Sequence, residues 1–428
     1  MRRFILRRSS SRAAVRLIYS SGGRQGRRAD FEKPRTMRAS MKSAENQTNG
    51  PRAAQGKKRT RQPPKMRETK VEDYAQIVSL HIRNDFAIRS YEEWVALWRD
   101  NPACKQRNGR WPIGWVLETA GGEVVGSIGN IPLAYHFRGH ELQAATASSW
   151  VVDAPYRGYS MLILDRLMRQ EAIDLFICTT VSPRAEPVFS IFRLSRVPVG
   201  TWHKSAYWIT NYRGFSQSAL RTKSVPMARL VSYPVSTALF CWDRLRHAGL
   251  AVDVSTSEIE LCSEFDRRFD DFWEELRYQN DGVLLAVRTR ETLAWHFRES
   301  LLQGSAWVLT ACEGSRLRAY AIFSRQDNPA VGLKRVRLVD FQALNGSEDF
   351  LRSAFKWVLQ RCSNEGIHVV DIIGCWLDRP GMPHVGAPHH RTLPSWTYYY
   401  KANDKDLSES LRDPAIWAPS SFDGDASL

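Results

Sequence analysis

Apolar side chains beyond residue 66 follow a helical spacing first and a strand spacing afterwards. Between residues 71 and 82 they recur at every third or fourth position, which predicts a helix. Ser90 followed by Glu93 predicts the capped start of a second helix. Three apolar runs divided by glycine-containing turns then predict an antiparallel meander. These runs cover residues 113–117, 124–135 and 142–152.

The spacing of apolar residues changes again after the meander. It predicts a helix over 159–170, followed by a strand, a short helix and another strand. These three elements cover residues 174–180, 188–194 and 201–210, and the last is the final strand of this half. Residues 214–255 carry proline within amphipathic stretches, which is typical of a linker with one or two helices.

The pattern recurs in the second half of the chain. Trp115-Val-Leu before a turn and a strand has a counterpart in Trp307-Val-Leu, and the order seen over 142–180 returns over 336–373. This indicates an internal duplication. Chance matching remains the alternative, because the chain holds 15 tryptophans. The predicted fold class is α/β (α+β), with two tandem mixed sheets flanked by helices.

Positive charge is concentrated at the N-terminus. The 428 residues carry a formal charge of +16, and residues 1–65 hold 19 Lys and Arg against 3 acids, whereas the rest balances at 42 against 42. We therefore expect a disordered basic tail and no nucleic-acid partner for the globular part. Alternative interpretations of the tail are a nucleic-acid or membrane-surface arm, a transit peptide, or a start at Met37, Met41 or Met66.

Seven cysteines without a C-x-x-C pair indicate a reducing compartment, and the predicted location is the cytoplasm. The longest apolar stretch, Leu230–Trp242, is too short and too interrupted to span a membrane. The spacing of Cys375, His384, His389 and His390 matches no common metal site, so no metal is expected.

The turn from Pro155 to Ser160 carries the clearest chemistry. It joins a predicted strand to a predicted helix, where backbone N–H groups lack helical partners and attract phosphate. Gly158 permits close approach and Arg157 supplies a fork of donors, while no acid follows before Asp165. The alternative is an ordinary helix entry.

Together with the order of elements around it, this turn resembles the GNAT acyltransferase superfamily. The family pattern P-x-Y-R-G-x-G is matched by Pro155, Tyr156, Arg157 and Gly158, whereas Ser160 stands at the first signature glycine and Leu162 at the second small position. The resemblance covers about residues 66–212 and, more faintly, 256–402, as in tandem GNAT proteins.

The resemblance implies that acetyl-CoA or another acyl-CoA binds here as co-substrate. The backbone of 150–152 would pair with pantetheine, and the strand over 174–180 would splay away to leave a wedge for the thioester. The position of the family's thiolate-protonating tyrosine is Ile191 or Phe192, and neither donates a proton. The implied cofactor-binding residues are Trp150, Val151, Val152, Arg157, Gly158, Tyr159, Ser160, Met161 and Leu162.

An amine acceptor also needs a base. Candidates near the expected wedge are Asp85, Ser182 and, as a water-positioning group, Asn130. Direct transfer is favoured because no cysteine has a suitably placed histidine. In the second half the equivalent turn, 345–349, places Glu348 and Asp349 at the helix start, where they would repel a pyrophosphate.

The sequence thus predicts an acyl-CoA-dependent N-acyltransferase acting on a small-molecule or sugar amine. A catalytically silent GNAT-like scaffold and a Fem-type aminoacyl transferase acting on a cell-wall precursor remain as alternatives. The predicted divisions are a tail (1–65), an acyl-CoA-binding domain (66–213), linker helices (214–255), a degenerate second domain (256–402) and a C-terminal segment (403–428).

Overall fold

Two mixed β-sheets and the helices packed on them form the part of the chain that the structure, a computed structural model, describes. The described residues are 62–105, 111–171, 173–247, 259–345, 349–374, 387–393 and 396–428, so nearly all of the predicted tail lies outside them. Residues 64–428 belong to one compact unit. The predicted domain limits therefore stay predictions.

Eleven α-helices lie in the described residues: α1 (Tyr74–Arg83), α2 (Tyr91–Arg99), α3 (Pro102–Lys105), α4 (Ser160–Met168), α5 (Glu186–Ile191), α6 (Tyr212–Thr222), α7 (Ala228–His247), α8 (Arg267–Gln279), α9 (Arg290–Leu302), α10 (Phe350–Asn364) and α11 (Lys405–Ser410). The capping box predicted for α2 is present, because Ser90 Oγ accepts from Glu93 N at 3.3 Å and Glu93 Oε2 accepts from Ser90 N at 2.7 Å. The predicted linker contains α6 and α7.

The strands of the described residues are β1 (Lys65–Glu68), β2 (Gly114–Glu118), β3 (Val124–Phe137), β4 (His140–Val152), β5 (Leu175–Val181), β6 (Ser195–Arg196), β7 (Lys204–Ile209), β8 (Glu260–Cys262), β9 (Leu285–Ala286), β10 (Ala306–Glu313), β11 (Arg316–Arg325), β12 (Arg335–Ala343), β13 (Val369–Ile373), β14 (His389–Thr392) and β15 (Thr397–Ala402). The first sheet has the order β1-β2-β3-β4-β5-β15-β6, with β9 beside β3, and the second has β14-β7-β13-β12-β11-β10-β8.

The two sheets repeat one topology. In the first, β2, β3 and β4 pair antiparallel and β4 pairs parallel with β5, which follows after α4. In the second, β10, β11 and β12 pair antiparallel and β12 pairs parallel with β13, which follows after α10. This agrees with the duplicated order of elements that the sequence predicts.

Each half gives its last strand to the other half's sheet. The strand predicted over 201–210 is β7, which lies in the second sheet between β13 and β14. In return, β15 pairs with β5 and β6 in the first sheet. Apolar alternation predicts such a strand and its buried face, but not the partner to which it bonds.

A shared apolar cluster joins the two sheets. It contains buried side chains of the first sheet, such as Tyr135 and Ile177, together with Phe297 and Tyr320 of the second half. Residues near the C-terminus, including Phe422, enter the same cluster. No helix among the described residues combines the length and the apolar character needed to cross a bilayer.

Candidate functional site

The predicted turn at the end of β4 is a short 3₁₀ helix, Ala154–Tyr159, and α4 follows it from Ser160. Asp153 N donates to Val125 O at 2.9 Å and Ser160 Oγ donates to Arg157 O at 2.7 Å, so both ends of the turn are fixed. Arg157 is exposed. The first turn of α4 contains no acid. A dianionic group approaching α4 would therefore meet a positive helix end and one arginine.

Gly158 faces open space. A Cβ added there would meet no atom within 4 Å, and no left-handed backbone conformation requires glycine at this position. The protein itself therefore tolerates a side chain here. Leu162, at the second departure from the family pattern, is 50% exposed in the first turn of α4.

We expect Gly158→Val to weaken binding of acetyl-CoA at least tenfold while leaving the melting temperature unchanged, because the added methyls occupy only the space needed for close approach of a phosphate. Titration calorimetry measures the first effect and thermal unfolding the second. Gly282→Val is the matched control, since Gly282 also has open space around it but lies in the loop after α8. Equal binding by the two variants would contradict a phosphate site at the turn.

A β-bulge interrupts β4 just before the turn. Ser127 pairs with Val151 and Gly129 with Ser148, so two residues of β4 stand opposite one residue of β3. Ser149 lies in the bulge with φ of +52°, a left-handed conformation that is uncommon for serine. A bulge of this kind leaves its extra residue out of the ladder and redirects the strand.

Strands β4 and β5 separate beyond the middle of the sheet. Their parallel pairing covers only 144–146 with 175–177, although both strands continue, to Val152 and Val181. Over this splayed part, the far edge of β5 pairs with β15. The edges of β4 and β5 that face each other therefore enclose a wedge, as the family resemblance implies.

Asp425 contacts the splayed part of β5. Its Oδ1 accepts from Thr179 Oγ1 at 2.7 Å and its Oδ2 from Thr180 Oγ1 at 3.1 Å. Thr179 and Thr180 are the two residues of β5 that stand opposite one residue of β15 at a bulge, so the regular alternation of faces is interrupted where their hydroxyls reach one carboxylate. Asp425 therefore lies against the splayed part of β5, close to the wedge.

The surroundings of Asp425 are polar but poorly hydrated. Burial raises the pKa of Asp425 more than the threonine hydrogen bonds lower it. His296 shares a 2.8 Å hydrogen bond with Ser427 through Nε2, and burial lowers its pKa to about 3, so this imidazole is neutral. Arg89 Nη2 donates to Leu428 O at 2.7 Å. The residues after Asp425 are thus held by side chains of both halves.

Two cavities lie near residues that contact this C-terminal segment. One, of about 40 Å³, lies between α1, α2 and the bulge, and Arg89 and Ser149 are among its walls. Another, of about 390 Å³, lies between β3 and helices α8 and α9, and it borders His296 and Gly424. Gly424, a wall residue of the larger cavity, directly precedes Asp425. The segment ends at Leu428, which accepts a hydrogen bond from Arg89 on the wall of the smaller cavity.

No protein-family model matches the sequence, and a search of curated proteins finds no match either. Solved structures do resemble the fold. Saccharomyces cerevisiae N-myristoyltransferase with bound myristoyl-CoA and inhibitors aligns at 10% identity over 79% of this chain and 80% of that chain, with a TM-score of 0.50. The chain has a tandem GNAT fold. GCN5-related N-acetyltransferases from Anabaena variabilis (10% identity, 79% and 73% covered, TM-score 0.48) and Kribbella flavida (12%, 79% and 70%, 0.46) are also similar.

The predicted catalytic side chains differ in how deeply this GNAT fold buries them. Asp85 is exposed after α1, with φ of +57°, and Ser182 is half-buried directly after β5. Asn130 is fully buried in β3, where Nδ2 donates to Pro112 O at 3.0 Å and to Gln170 Oε1 at 2.9 Å. Both amide hydrogens of Asn130 are therefore used inside the protein. A role for it in positioning water has no support from these contacts.

The position expected for the thiolate-protonating tyrosine lies at the end of α5. Ile191 is 68% exposed and Phe192 follows it as the residue after the helix. Of the predicted cofactor residues, Trp150 packs edge-on against Phe189, with ring centroids 6.4 Å apart. Val151 and Val152 are buried, which leaves their backbone as the part available to a ligand in the wedge.

The second half of the GNAT fold has a different interior at the equivalent strands. Here β12 and β13 pair only over 335–337 with 369–371, but the buried ion pair between Arg337 and Asp371 lies at this point, with Arg337 Nε 2.9 Å from Asp371 Oδ1. Asp349 is the N-cap residue before α10, whereas the sequence predicted it within the first turn, and Glu348 lies outside the described residues. A carboxylate at the helix start and an ion pair between the strands both disfavour a bound pyrophosphate.

Two of the four residues weighed as metal ligands are described. His389 Nε2 lies 2.9 Å from Asp243 Oδ2 and its ring stacks on Tyr207 at 4.9 Å, so its contacts are structural. His390 follows it in β14. Cys375 and His384 lie outside the described residues.

Proposed function

We propose that the protein is an acyl-CoA-dependent N-acyltransferase that transfers an acetyl or similar short acyl group directly to a primary amine of a small molecule or amino sugar. The observation that carries the proposal is the wedge between β4 and β5, which opens beside a bulge and next to an exposed, acid-free helix start. One neighbour with the same fold is a transferase crystallised with myristoyl-CoA. No disulfide joins the six cysteines of the described residues, which suits a reducing compartment such as the cytoplasm.

In this proposal the turn holds the pyrophosphate and the wedge holds the pantetheine. Arg157 and the N–H groups at the start of α4 contact the phosphates, with Gly158 allowing the approach. The backbone of Trp150, Val151 and Val152 pairs with the pantetheine amides as a further strand would. Tyr159, Ser160, Met161 and Leu162 complete the walls of the phosphate site.

Asp425 is the proposed proton acceptor for the attacking amine. The amine nitrogen forms a bond to the thioester carbon, the carbon–sulfur bond breaks, and the sulfur leaves as the thiolate with its electron pair. The amine proton passes to the Asp425 carboxylate and from there to solvent or to the thiolate. A thiol pKa near 8.5 makes coenzyme A a tolerable leaving group without a tyrosine at the end of α5. Asp85 and Ser182 remain as alternative bases.

The second candidate function is a GNAT-like scaffold that binds an acyl-CoA or a partner without turnover. It is favoured by Ile191 and Phe192, neither of which is an acid, and by Leu162, which projects beside the phosphate site. Binding of acyl-CoA without release of free thiol, across a panel of amines, would establish it.

The test is calorimetry of the full chain with acetyl-CoA, beside Arg157→Glu. We expect measurable binding by the unchanged protein and at least a tenfold loss in the variant, because a carboxylate replaces a phosphate-binding fork. Arg352→Glu is the matched control, since Arg352 lies in the first turn of the equivalent helix α10 and its ion pair with Asp349 is at the surface. Absence of binding by the unchanged protein would refute the proposed function. If the protein binds acetyl-CoA, release of the free thiol across a panel of amines tests turnover.

A further inference from the structure

The smaller cavity contains two buried polar atoms that have no partner. Apolar side chains of α1, α2 and β3 form much of its wall, including Ile77, Trp94 and Trp98. Among the described residues, His81 Nε2 and Ser127 Oγ on its walls make no hydrogen bond. Their residues are only 7% and 4% exposed. An unpaired polar atom in such a place is costly, so a ligand or water is expected to satisfy both.

The chemistry of these two atoms is complementary. Burial lowers the pKa of His81 more than a hydrogen bond with the backbone of Ala87 raises it, so the ring is neutral. A neutral imidazole nitrogen donates or accepts one hydrogen bond according to the tautomer, and the Ser127 hydroxyl can do both. A hydroxyl group of a ligand also donates and accepts, so one such group can pair with both atoms.

The cavity adjoins the proposed acyl site. Ser148 and Ser149 of the β4 bulge line it, and the wedge begins only two residues earlier, after Thr146. Its volume of about 40 Å³ corresponds to about three water-sized groups. A longer chain would have to displace the buried indoles of Trp94 and Trp98.

We infer that this cavity is the acyl subsite and that the preferred donor is a short-chain hydroxyacyl-CoA, whose hydroxyl is bound by His81 and Ser127. The inference rests on the proposed function and names its donor. A site with paired hydrogen-bonding groups discriminates strongly against an analogue without the hydroxyl, because its own polar atoms then stay unpaired.

The test compares 3-hydroxybutyryl-CoA, butyryl-CoA, acetyl-CoA and myristoyl-CoA as donors, by kcat/KM for thiol release with one amine. We expect 3-hydroxybutyryl-CoA to exceed butyryl-CoA at least tenfold, and Ser127→Ala and His81→Leu to reduce that ratio to near one. The ratio should stay unchanged in Ser205→Ala, the matched control, since Ser205 Oγ is also buried without a partner among the described residues but lies in the second sheet.

The inference would be overturned if 3-hydroxybutyryl-CoA and butyryl-CoA differed less than twofold in kcat/KM and Ser127→Ala left their ratio unaltered. The cavity would then hold water only. Preference for myristoyl-CoA would overturn it as well. Either result leaves acyl-CoA-dependent transfer to an amine standing as long as some acyl-CoA is turned over, although a preference for myristoyl-CoA would replace the short acyl group of the proposed function by a long one. Should no donor bind or react, the proposed function fails, and the inference that rests on it fails too.

Discussion

Asp425→Asn is expected to lower kcat by about 10²–10⁴-fold, the usual contribution of a positioned general base. The amide has the size of the carboxylate and still forms hydrogen bonds with Thr179 and Thr180, so the C-terminal segment should keep its place. It cannot take up a proton from the amine. We therefore expect acetyl-CoA to bind the variant as tightly as the unchanged protein, with the loss confined to turnover.

The pH profile provides a second measurement of the same role. Burial raises the pKa of Asp425, and Asp425 accepts a proton only while it is ionised, so kcat/KM should fall as the pH drops through that raised pKa. Arg89, Cys178 and Tyr398 interact electrostatically with Asp425. Burial raises the pKa of both Cys178 and Tyr398 and lowers that of His296 to about 3, so these groups titrate outside the acid limb.

The acid limb should disappear in Asp425→Asn and persist in Asp406→Asn, which changes an exposed aspartate of α11. If Asp425→Asn keeps a normal kcat, another group accepts the proton of the attacking amine. Asp85→Asn and Ser182→Ala would then be the next measurements. A fall in acetyl-CoA binding, by contrast, would indicate that Asp425 supports the wedge rather than the chemistry.

Local chemistry explains what was predictable from the sequence. The capping box at Ser90 and Glu93 and the helix start at Ser160 depend on residues within one or two turns of each other. The same holds for the alternation that defines β4 and β5. Such signals need no knowledge of distant parts of the chain.

The position of Asp425 beside β5 and the exchange of strands between the two sheets both depend on residues far apart in the sequence. Thr179 and Asp425 lie 246 positions apart, and β7 bonds to β13, more than a hundred residues later. Nothing in the segment Asp423-Gly-Asp425 indicates that it enters the sheet. His81 did carry a signal, since it falls on the apolar face that Tyr74, Ile77 and Val78 define on α1. A lone histidine on such a face is also an ordinary core residue, so only the cavity distinguishes it.

Arg288→Met is expected to lower the free energy of unfolding by about 3–5 kcal/mol, because it leaves Asp340 charged and unpaired in the interior. Both residues are almost fully buried, with Arg288 Nε 2.8 Å from Asp340 Oδ2. Burial alone would raise the pKa of Asp340, but Arg288 and the hydrogen bonds from Tyr320 and Gln342 outweigh it and hold the pKa below its usual value. Urea unfolding measures the change.

The same pair also anchors the segment that carries Asp425. Arg288 Nη2 donates to Ser420 Oγ at 3.3 Å, and the guanidinium lies over the Phe422 ring, 4.9 Å from its centroid. Arg288→Met should therefore lower kcat as well. The double variant Arg288→Met with Asp340→Leu removes both members of the ion pair, so much of the stability should return. If kcat stays low in that stable protein, Arg288 positions Asp425.

Lys105→Met is the control for stability, because it removes an exposed ion pair with Glu291 and should lower the free energy of unfolding by only about 0.2–1 kcal/mol. A loss equal to that of Arg288→Met would contradict the burial argument.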